Sequence, residues 1–306
     1  MIEKNSRTAL TALVTGATGF IGSHLVRKLL AEGWKVHIIA RNESSLKQLE
    51  DVQGAIIIHR HDGTIDSMFA IVESAKPDLV IHLASFATVT YAPRQVEEML
   101  TSNIIFGTQL VEAMLSQHVY AFINTGTFSQ HFDNKLYSPK SLYDASKQAF
   151  TDILAYYCES SPLRVITLEL FDNYGPNDTR SKIISLLLKA GKEQKPLAMS
   201  PGEQLIDIVH IDDVVEAYML AAQQLLNEEA VKNEVYSVSS QQLIPLKELA
   251  GIIEKIMDVP LQVNWGGRPY HPREIMIPWN KGVAVPKWKP KITLEEGIKR
   301  LIEQQQ

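Results

Sequence analysis

The chain has 306 residues, of which 45% are hydrophobic and 21% are charged, and its formal net charge at pH 7 is −5. This composition is typical of a globular protein with a substantial core, and the charge gives no reason to expect binding to nucleic acid. No apolar run approaches the length of a membrane span. One cysteine, Cys158, excludes an internal disulfide. We therefore expect a cytoplasmic protein whose partners are small molecules, with no membrane and no metal.

The first half of the chain alternates short apolar runs with helical patterns. Such alternation predicts repeated βαβ units and therefore an α/β fold, a Rossmann-type doubly wound parallel sheet with helices on both faces. The predicted strands lie near residues 10–15, 35–39, 55–59, 79–83, 121–124 and 164–170, and the predicted helices near residues 20–32, 65–74, 95–117 and 142–159. A loop is expected after the second strand.

The alternation ends after Tyr174-Gly175-Pro176. The later part predicts helices over residues 182–190, from residue 212 or 213 onward, after residue 243 and over residues 294–303, with a Pro- and Gly-rich stretch over residues 260–290. We expect residues 1–172 and 206–230 to form a NAD(P)-binding domain. Residues 173–205 and 231–306 then form a smaller C-terminal lobe that binds the substrate.

Three glycines fall where the first predicted strand turns into the first predicted helix. The segment Thr15-Gly-Ala-Thr-Gly-Phe-Ile-Gly22 follows an apolar run and opens a helical pattern. A helix start presents free amides and the positive end of the helix dipole, and glycines let a pyrophosphate approach. This predicts a dinucleotide site with contacts from Thr15, Gly16, Thr18, Gly19, Phe20 and Ile21, and the alternative is a simple tight turn.

The end of the second predicted strand reads Ile39-Ala40-Arg41-Asn42. NAD enzymes usually place an acid here, whereas a guanidinium can pair with the 2′-phosphate of NADP. Arg41 therefore favours NADP(H), although Glu43 keeps NAD(H) possible. Asp62 and Gly63, after the third strand, are expected either to contact the adenine or to form only a turn.

Tyr143 and Lys147 lie four residues apart in a predicted helix, so their side chains share one face. The pKa of a free tyrosine is about 10, and a nearby positive charge lowers it. We therefore expect Lys147 to lower the pKa of Tyr143, so that the phenol can exchange a proton with a carbonyl or an alcohol.

These features together resemble the extended short-chain dehydrogenase/reductase family, also described as the NAD-dependent epimerase/dehydratase family. The resemblance extends over nearly the whole chain and implies that Thr125, Tyr143 and Lys147 are catalytic. The alternative for Thr125 is a threonine at the end of a strand whose hydroxyl bonds to backbone. It also implies cofactor contacts from Leu83, Ala84, Ser85, Asn103, Tyr143 and Lys147. Family members often form homodimers, so the resemblance implies a homodimer here.

Dehydratases of this family carry Asp and Glu directly after the residue that corresponds to Thr125. Gly126 and Thr127 stand there in this chain, so dehydration by that mechanism is not expected. Three segments are similar to the subgroup that contains CDP-abequose and CDP-paratose synthases, residues 124–128, 168–176 and 199–204. Enzymes of this subgroup reduce a 4-keto group on a nucleotide-linked deoxysugar. The resemblance therefore implies an NADPH-dependent 4-ketoreductase. The alternatives are an NAD-dependent nucleotide-sugar 4-epimerase and a dinucleotide-sensing or scaffolding protein without catalysis.

The residues that bind the substrate are harder to predict. The wider family usually has Asn where this chain has Asp172 and Arg where it has Ile206, so the standard diphosphate contacts cannot be transferred. A nucleotide diphosphate needs positive charge. Each candidate arginine alone is better explained as a solvated surface residue, but several arginines in the lobe expected to cover the substrate favour a phosphate contact from at least one of them. The expected substrate-binding residues are Thr127, Asn173, Arg180, Arg268 and Arg273. His131 lies near the predicted active-site loop, and the sequence assigns it no role.

Overall fold

A computed structural model describes residues 9–227 and 231–303. The strands of this part of the chain are β1 (Thr11–Thr15), β2 (Lys35–Arg41), β3 (Ile56–His61), β4 (Leu79–His82), β5 (Ala121–Thr127), β6 (Arg164–Leu170), β7 (Asp172–Tyr174), β8 (Leu197–Met199), β9 (Leu205–Ile206), β10 (Ile208–His210), β11 (Asn233–Val238), β12 (Ile244–Pro245) and β13 (Val263–Trp265). The α-helices are α1 (Phe20–Ala31), α2 (Ile65–Ala75), α3 (Val96–Leu100), α4 (Phe106–Ser116), α5 (Leu142–Ser160), α6 (Ile183–Glu193), α7 (Ile211–Asn227), α8 (Leu246–Met257) and α9 (Leu294–Glu303).

The centre of the molecule is a seven-stranded sheet in the order β11-β6-β5-β4-β1-β2-β3. All of its neighbouring strands are parallel. The chain winds outward from β1 in both directions, so the strand order reverses between β1 and β4. A crevice at this reversal, outside the carboxyl ends of the strands, is where such sheets bind ligands. The predicted doubly wound parallel sheet is confirmed.

Helices cover both faces of the sheet. Residues of α1 and α7 share one apolar core with Ala12 and Val14 of β1. Residues of α2, α4 and α5 share a second core with Leu13, the residue between them. Successive side chains of a strand point to opposite faces, so this division is what a strand buried on both sides requires. No helix of the described residues is long and apolar enough to cross a lipid bilayer.

A third core lies outside the sheet. It is built from α6, α8 and α9, with Leu187, Leu249 and Ile298 buried among its members. Three small two-stranded sheets, β7 with β10, β8 with β13 and β9 with β12, surround this core. These elements share a core of their own, and the expected division into two domains stays a prediction.

The structure differs from the predicted elements in three places. The expected loop after β2 contains a 3-10 helix, Lys47–Ala55. The expected helix over residues 95–117 is interrupted by a π-helical turn, Thr101–Ile105. Residues 233–238 were expected in the substrate lobe, but they form β11, which pairs with β6 in the main sheet. Only pairing with a distant strand makes this short segment part of the sheet, so a local pattern does not reveal it. Part of the predicted domain division, residues 1–8, 228–230 and 304–306, lies outside the described residues.

Gly107 allows α4 and α5 to approach each other. A β-carbon at this position would lie 2.5 Å from Cζ of the buried Phe150 ring. We expect Gly107→Ala to lower the free energy of unfolding by about 1–3 kcal/mol, because overpacking forces neighbours to move. The matched control is Gly251→Ala in α8, where nothing lies within 4 Å of the added carbon. This control should raise stability by up to about 1 kcal/mol. Urea unfolding checks both, and equal changes would contradict the packing argument.

Candidate active site

The glycine-rich segment forms a tight turn between β1 and α1. Gly16 has a φ of +69°, and a β-carbon there would lie 2.6 Å from the backbone of Leu83 and Ala84. A β-carbon on Gly22 would lie 2.2 Å from the Gly16 carbonyl oxygen. The first turn of α1 has no side-chain cap, so its amides are available to an anion. The turn thus fits the pyrophosphate of a dinucleotide, as the sequence predicts.

The Thr15 side chain joins β1 to β4. Its hydroxyl oxygen lies 2.8 Å from His82 Nδ1 and accepts hydrogen bonds from the amides of Leu83 and Ala84 at 3.2 and 3.1 Å. Thr15 is fully buried. The hydroxyl thus holds the end of β4 against the glycine turn, and the cofactor contact expected from Thr15 stays a prediction.

Asn103 holds the segment that follows β4. Its Oδ1 accepts hydrogen bonds from Ser85 Oγ at 3.0 Å and from the Phe86 amide at 2.7 Å, while its Nδ2 donates to Ser146 Oγ at 2.9 Å. Asn103 is fully buried in the π-helical turn, a deviation that is frequent at functional sites. It connects the Leu83–Phe86 segment with α5, so the amide is another positioning group.

Tyr143 lies in the first turn of α5, beside the segment that Asn103 holds. Ser85 forms a hydrogen bond with its phenol. Burial, and then the charge of Asp144, raise the pKa of Tyr143 to about 12, although the Ser85 hydrogen bond acts in the opposite direction. The expectation that Lys147 lowers this pKa was wrong for this structure. Because the acidic neighbour Asp144 and burial prevail, Tyr143 is a protonated phenol at neutral pH.

The Lys147 ammonium is buried, with only 2% of the residue exposed. Burial lowers the pKa of Lys147 to about 8. It also lies near His82, and burial together with this charge lowers the pKa of His82 to about 3, so His82 is neutral. Within the described residues, no group accepts a hydrogen bond from the ammonium. A buried cation that lacks an acceptor fits the ribose hydroxyls of a nicotinamide nucleotide, which can accept such hydrogen bonds.

The Thr125 side chain bonds to backbone, the alternative that the sequence left open, and it also contacts Tyr218, which the sequence does not reveal. Its hydroxyl donates to the His82 carbonyl at 2.8 Å and lies 2.7 Å from the phenol oxygen of Tyr218 in α7. Since the proton of Thr125 is used toward His82, the Tyr218 phenol is the donor in the second contact. Tyr218 is fully buried, and burial raises its pKa, so it keeps this proton. Tyr143 also raises the Tyr218 pKa, so Tyr218 contacts Thr125 and lies within electrostatic range of Tyr143.

The two positions after Thr125 carry no acid. A β-carbon on Gly126 would lie 3.2 Å from the side chains of Gln130, Thr167 and Glu169, so the space for a side chain is filled. Thr127 Oγ1 lies 2.8 Å from Ser129 Oγ, and the Thr127 amide donates to Gln130 Oε1 at 3.0 Å. The expected substrate contact from Thr127 stays a prediction, because this hydroxyl already has a partner.

The end of β2 presents Arg41 to solvent. Its side chain is 71% exposed, and its nearest charged partner is Glu43 at 3.8 Å. Arg60 orders the loop beneath it, because Nη1 of Arg60 donates to the carbonyls of Arg41, Asn42 and Ser44 at 2.6, 3.3 and 3.2 Å. The guanidinium of Arg41 is thus free to meet an anion at the carboxyl end of β2.

Asp62 and Gly63 form a turn between β3 and α2. Asp62 Oδ1 accepts from the amide and the hydroxyl of Thr64 at 2.9 and 2.7 Å. Gly63 has a φ of +94°. The structure therefore uses this carboxylate for the turn, the alternative that the sequence left open, and the adenine contact stays a prediction.

The three candidate arginines do not share one site. Arg180 pairs with Asp178 at 2.7 Å and donates to Asn173 Oδ1 at 2.9 Å, and its guanidinium lies 4.3 Å from the centre of the Phe20 ring. It therefore lies at the start of α1. Its charge is compensated by Asp178, so a role in binding the substrate diphosphate would require an exchange of partners.

Arg273 and Arg268 differ from Arg180 and from each other. Arg273 donates to Ser138 Oγ and to the Pro139 carbonyl at 3.1 and 3.0 Å and lies over the Phe132 ring. Arg268 is exposed, and no hydrogen bond or ion pair joins its side chain to another described residue. Of the three, Arg268 is the one whose guanidinium stays available to a phosphate.

Comparison with known proteins decides the family. Residues 12–239 match the NAD dependent epimerase/dehydratase family. The chain belongs to this family. The predicted membership and the predicted nicotinamide-dependent enzyme are thereby confirmed, and the cofactor of this family is a nicotinamide dinucleotide.

The relatives of this NAD dependent epimerase/dehydratase family member are enzymes with different reactions. CDP-abequose synthase from Salmonella muenchen is 27% identical over 293 residues, which cover 95% of this chain and 96% of that protein. dTDP-glucose 4,6-dehydratase from Haemophilus influenzae is 24% identical, with 96% and 97% of the two chains covered. The solved UDP-glucose-4-epimerase of Stenotrophomonas maltophila superposes with a TM-score of 0.86 at 19% identity, over 97% and 98% of the chains. The fold is thus shared with an epimerase, and the sequence is similar to those of a synthase and a dehydratase.

Gly16 provides a test of the dinucleotide site. We expect Gly16→Ala to weaken binding of NADPH and NADH by at least about 100-fold, the loss of roughly 2.7 kcal/mol, because the added carbon displaces the Leu83–Ala84 backbone. The matched control is Gly33→Ala, since Gly33 also has a positive φ, +80°, but nothing within 4 Å of an added carbon. Nucleotide fluorescence measures both affinities. Equal weakening in both variants would show that backbone strain, not the local contact, is responsible.

Proposed function

We propose that this enzyme reduces the 4-keto group of a deoxyhexose linked to a nucleotide diphosphate, with NADPH as the reductant. The similarity to CDP-abequose synthase along almost the full length of both chains supports a role in deoxysugar biosynthesis. We further propose that the enzyme acts in the cytoplasm as a homodimer. A 4-epimerase is the second candidate, because proteins of this fold include UDP-glucose-4-epimerase.

One observation carries this proposal: the site has a protonated phenol and no acid next to Thr125. Reduction of a ketone needs a proton donor at the carbonyl oxygen, and a Tyr143 pKa of about 12 keeps the donor protonated. Dehydration needs further groups that move protons at carbon. Gly126 and Thr127 supply none, and the space beside Gly126 is already occupied.

The site residues have distinct tasks in this reaction. A bound nicotinamide supplies the hydride. Tyr143 donates its phenolic proton to the oxygen that becomes the hydroxyl, while Ser85 keeps the phenol oriented. The Thr125 hydroxyl exchanges its His82 partner for the substrate oxygen, and because the Tyr218 phenol is the donor in its contact with Thr125, the Thr125 proton stays available for that oxygen. Lys147 binds the ribose hydroxyls, and its pKa of about 8 lets it exchange protons near neutral pH.

Arg41 supports the choice of NADPH. Its exposed guanidinium has only a distant partner, Glu43, at 3.8 Å. Arg60 donates a hydrogen bond to the Arg41 carbonyl and so holds the backbone that carries Arg41. A 2′-phosphate at the end of β2 would form charge-assisted hydrogen bonds with Arg41.

The decisive experiment for the reaction is NADPH oxidation with CDP- and dTDP-linked 4-keto-deoxyhexoses. We expect the wild-type enzyme to turn over, and Tyr143→Phe to reduce kcat by about 10²- to 10⁴-fold with little change in NADPH affinity, because only the proton donor is removed. Tyr156→Phe is the matched control, since Tyr156 lies on the same helix and is 65% exposed.

Two results would contradict the ketoreductase. Full turnover by Tyr143→Phe would remove the tyrosine from the mechanism. Absence of NADPH oxidation with every ketosugar, together with NAD that is released only on denaturation, would favour the 4-epimerase.

The cofactor choice has its own test. We expect Arg41→Ala to lower kcat/KM for NADPH by about 10- to 100-fold, the loss of a charged hydrogen bond of roughly 1.5–3 kcal/mol, and to leave kcat/KM for NADH unchanged. Arg94→Ala serves as the control, because Arg94 is an exposed arginine of the same domain. Kinetics with both nucleotides check the prediction. A loss that is equal for NADPH and NADH would exclude a role of Arg41 in recognising the 2′-phosphate.

A further inference from the structure

A single loop joins the two elements that carry the predicted catalytic hydroxyls. Residues 128–140, here called the connecting loop, run from the end of β5, which carries Thr125, to the start of α5, which carries Tyr143. The loop closes on itself, because the Phe132 amide donates to the Ser138 carbonyl at 2.8 Å. The position of this loop therefore affects the distance between the Thr125 and Tyr143 hydroxyls.

The connecting loop is attached to the first turn of α5. Ser129 Oγ donates a hydrogen bond to Asp144, and Ser141 Oγ donates to the same carboxylate at 2.6 Å. Asp144 is buried and directly follows Tyr143. A displacement of the loop at Ser129 is thus transmitted to the residue beside the catalytic phenol.

His131 attaches the same loop to the sheet. Its Nε2 lies 2.8 Å from Glu169 Oε1 on β6, and its Nδ1 lies 3.2 Å from the Lys135 carbonyl. The imidazole stacks on the Trp279 indole with the ring centres 4.1 Å apart and the planes at 16°. Both ring nitrogens face acceptors, and only an imidazolium can donate from both.

Other groups around His131 keep the cluster together. Trp279 belongs to the segment 273–281, which makes further hydrogen bonds with the connecting loop. Arg273 of the segment donates to Ser138 Oγ, and Asn134 of the loop donates to the Ile277 carbonyl. The charged and titratable groups that face the cluster are Glu169 from β6, Asp133, Lys135 and Lys140 from the loop itself, Arg273, Glu274 and Lys281 from the segment, and Asp144 from α5. Ser237 of β11 lies 3.4 Å from the second oxygen of Glu169.

We propose that His131, as an imidazolium, is a positioning residue that holds the connecting loop against β6 and Trp279. It thereby sets the distance and orientation of the Thr125 and Tyr143 hydroxyls relative to each other. The effect on turnover rests on the proposed reductase activity. The contacts of His131 with Glu169 and Trp279, here called the clamp, do not depend on that activity. They join three segments of this chain and need no substrate.

The protonation of His131 gives the proposal a distinctive pH dependence. Burial alone would lower the pKa of His131, but the hydrogen bond and charge of Glu169 raise it above the usual 6.5. A group whose pKa is raised by folding stabilises the folded form fully below its unfolded pKa and loses this contribution as pH rises through its folded pKa. The stabilisation by the clamp is therefore complete at pH values below the ordinary histidine pKa of 6.5 and is lost as the pH rises through the raised pKa of His131.

The first experiment reports on the clamp without any substrate. An imidazolium in contact with an indole quenches its fluorescence, so the Trp279 emission of the wild type should rise in one step on the alkaline side of pH 6.5. The step should vanish in His131→Asn and in Trp279→Phe and persist in His118→Asn, a surface histidine. Hydrogen exchange of residues 128–141 should be faster in His131→Asn. Absence of the step in the wild type, or unchanged exchange in the variant, would overturn the clamp.

The second experiment connects the clamp with turnover. We expect His131→Asn to lower kcat at least tenfold at pH 6.5 with an unchanged affinity for NADPH. The wild-type to variant ratio of kcat should approach one as pH rises through the His131 pKa, while deprotonation of Lys147 affects both enzymes and cancels in this ratio. A structural residue without a positioning role would give a ratio that is independent of pH, and this result would overturn the proposal.

A more conservative variant covers the case in which His131→Asn does not fold. Glu169→Gln keeps an acceptor for His131 and removes the charge that raises its pKa, so the fluorescence step should move toward lower pH. A step that stays at the wild-type pH would contradict the role of Glu169. If the wild type shows the step but reduces no ketosugar, the proposed function fails while the clamp is retained.

Discussion

The active site depends on the contact between the carboxyl ends of β1 and β4. Gly16 turns the chain there and leaves no room for a side chain against Leu83 and Ala84, while the buried Thr15 hydroxyl binds the amides of the same two residues. Because this contact fixes where β4 ends, it also fixes the segment that Asn103 then joins to α5. The dinucleotide turn and the catalytic helix are therefore parts of one hydrogen-bonded assembly.

Burial determines the protonation states within this assembly. His82 is neutral because it is fully buried beside the Lys147 charge, and the pKa of Lys147 itself falls to about 8 because its ammonium is buried. Tyr143 remains a phenol because burial and Asp144 prevail over its hydrogen bond with Ser85. At neutral pH the site therefore combines a phenol that keeps its proton with a lysine whose pKa lies close to the surrounding pH.

The connecting loop and the segment 273–281 give the site a second level of support. The loop lies between β5 and α5, and its anchors come from β6 through Glu169 and from the C-terminal part of the chain through Trp279 and Arg273. Arg273 donates to a backbone carbonyl and Arg180 pairs with an acidic group, and the phosphate binding expected from both stays a prediction. The positive charge of an arginine predicts that it has an acceptor or an anionic partner. Which partner it has depends on the residues that surround it in the folded protein.

The sequence by itself determined the features that depend on local pattern. The alternation of apolar runs and helices sufficed for the doubly wound sheet, and the spacing of Gly16, Gly19 and Gly22 sufficed for the dinucleotide turn, because periodicity and glycine geometry act over a few residues. The tertiary structure decided what depends on distant partners. It placed β11 at the edge of the sheet, set Tyr218 against Thr125, and raised the pKa of Tyr143 where the sequence predicted that Lys147 would lower it. Strand pairing, desolvation and electrostatic interactions depend on residues that are far apart in the chain. They therefore cannot be predicted from the spacing of residues within a short segment.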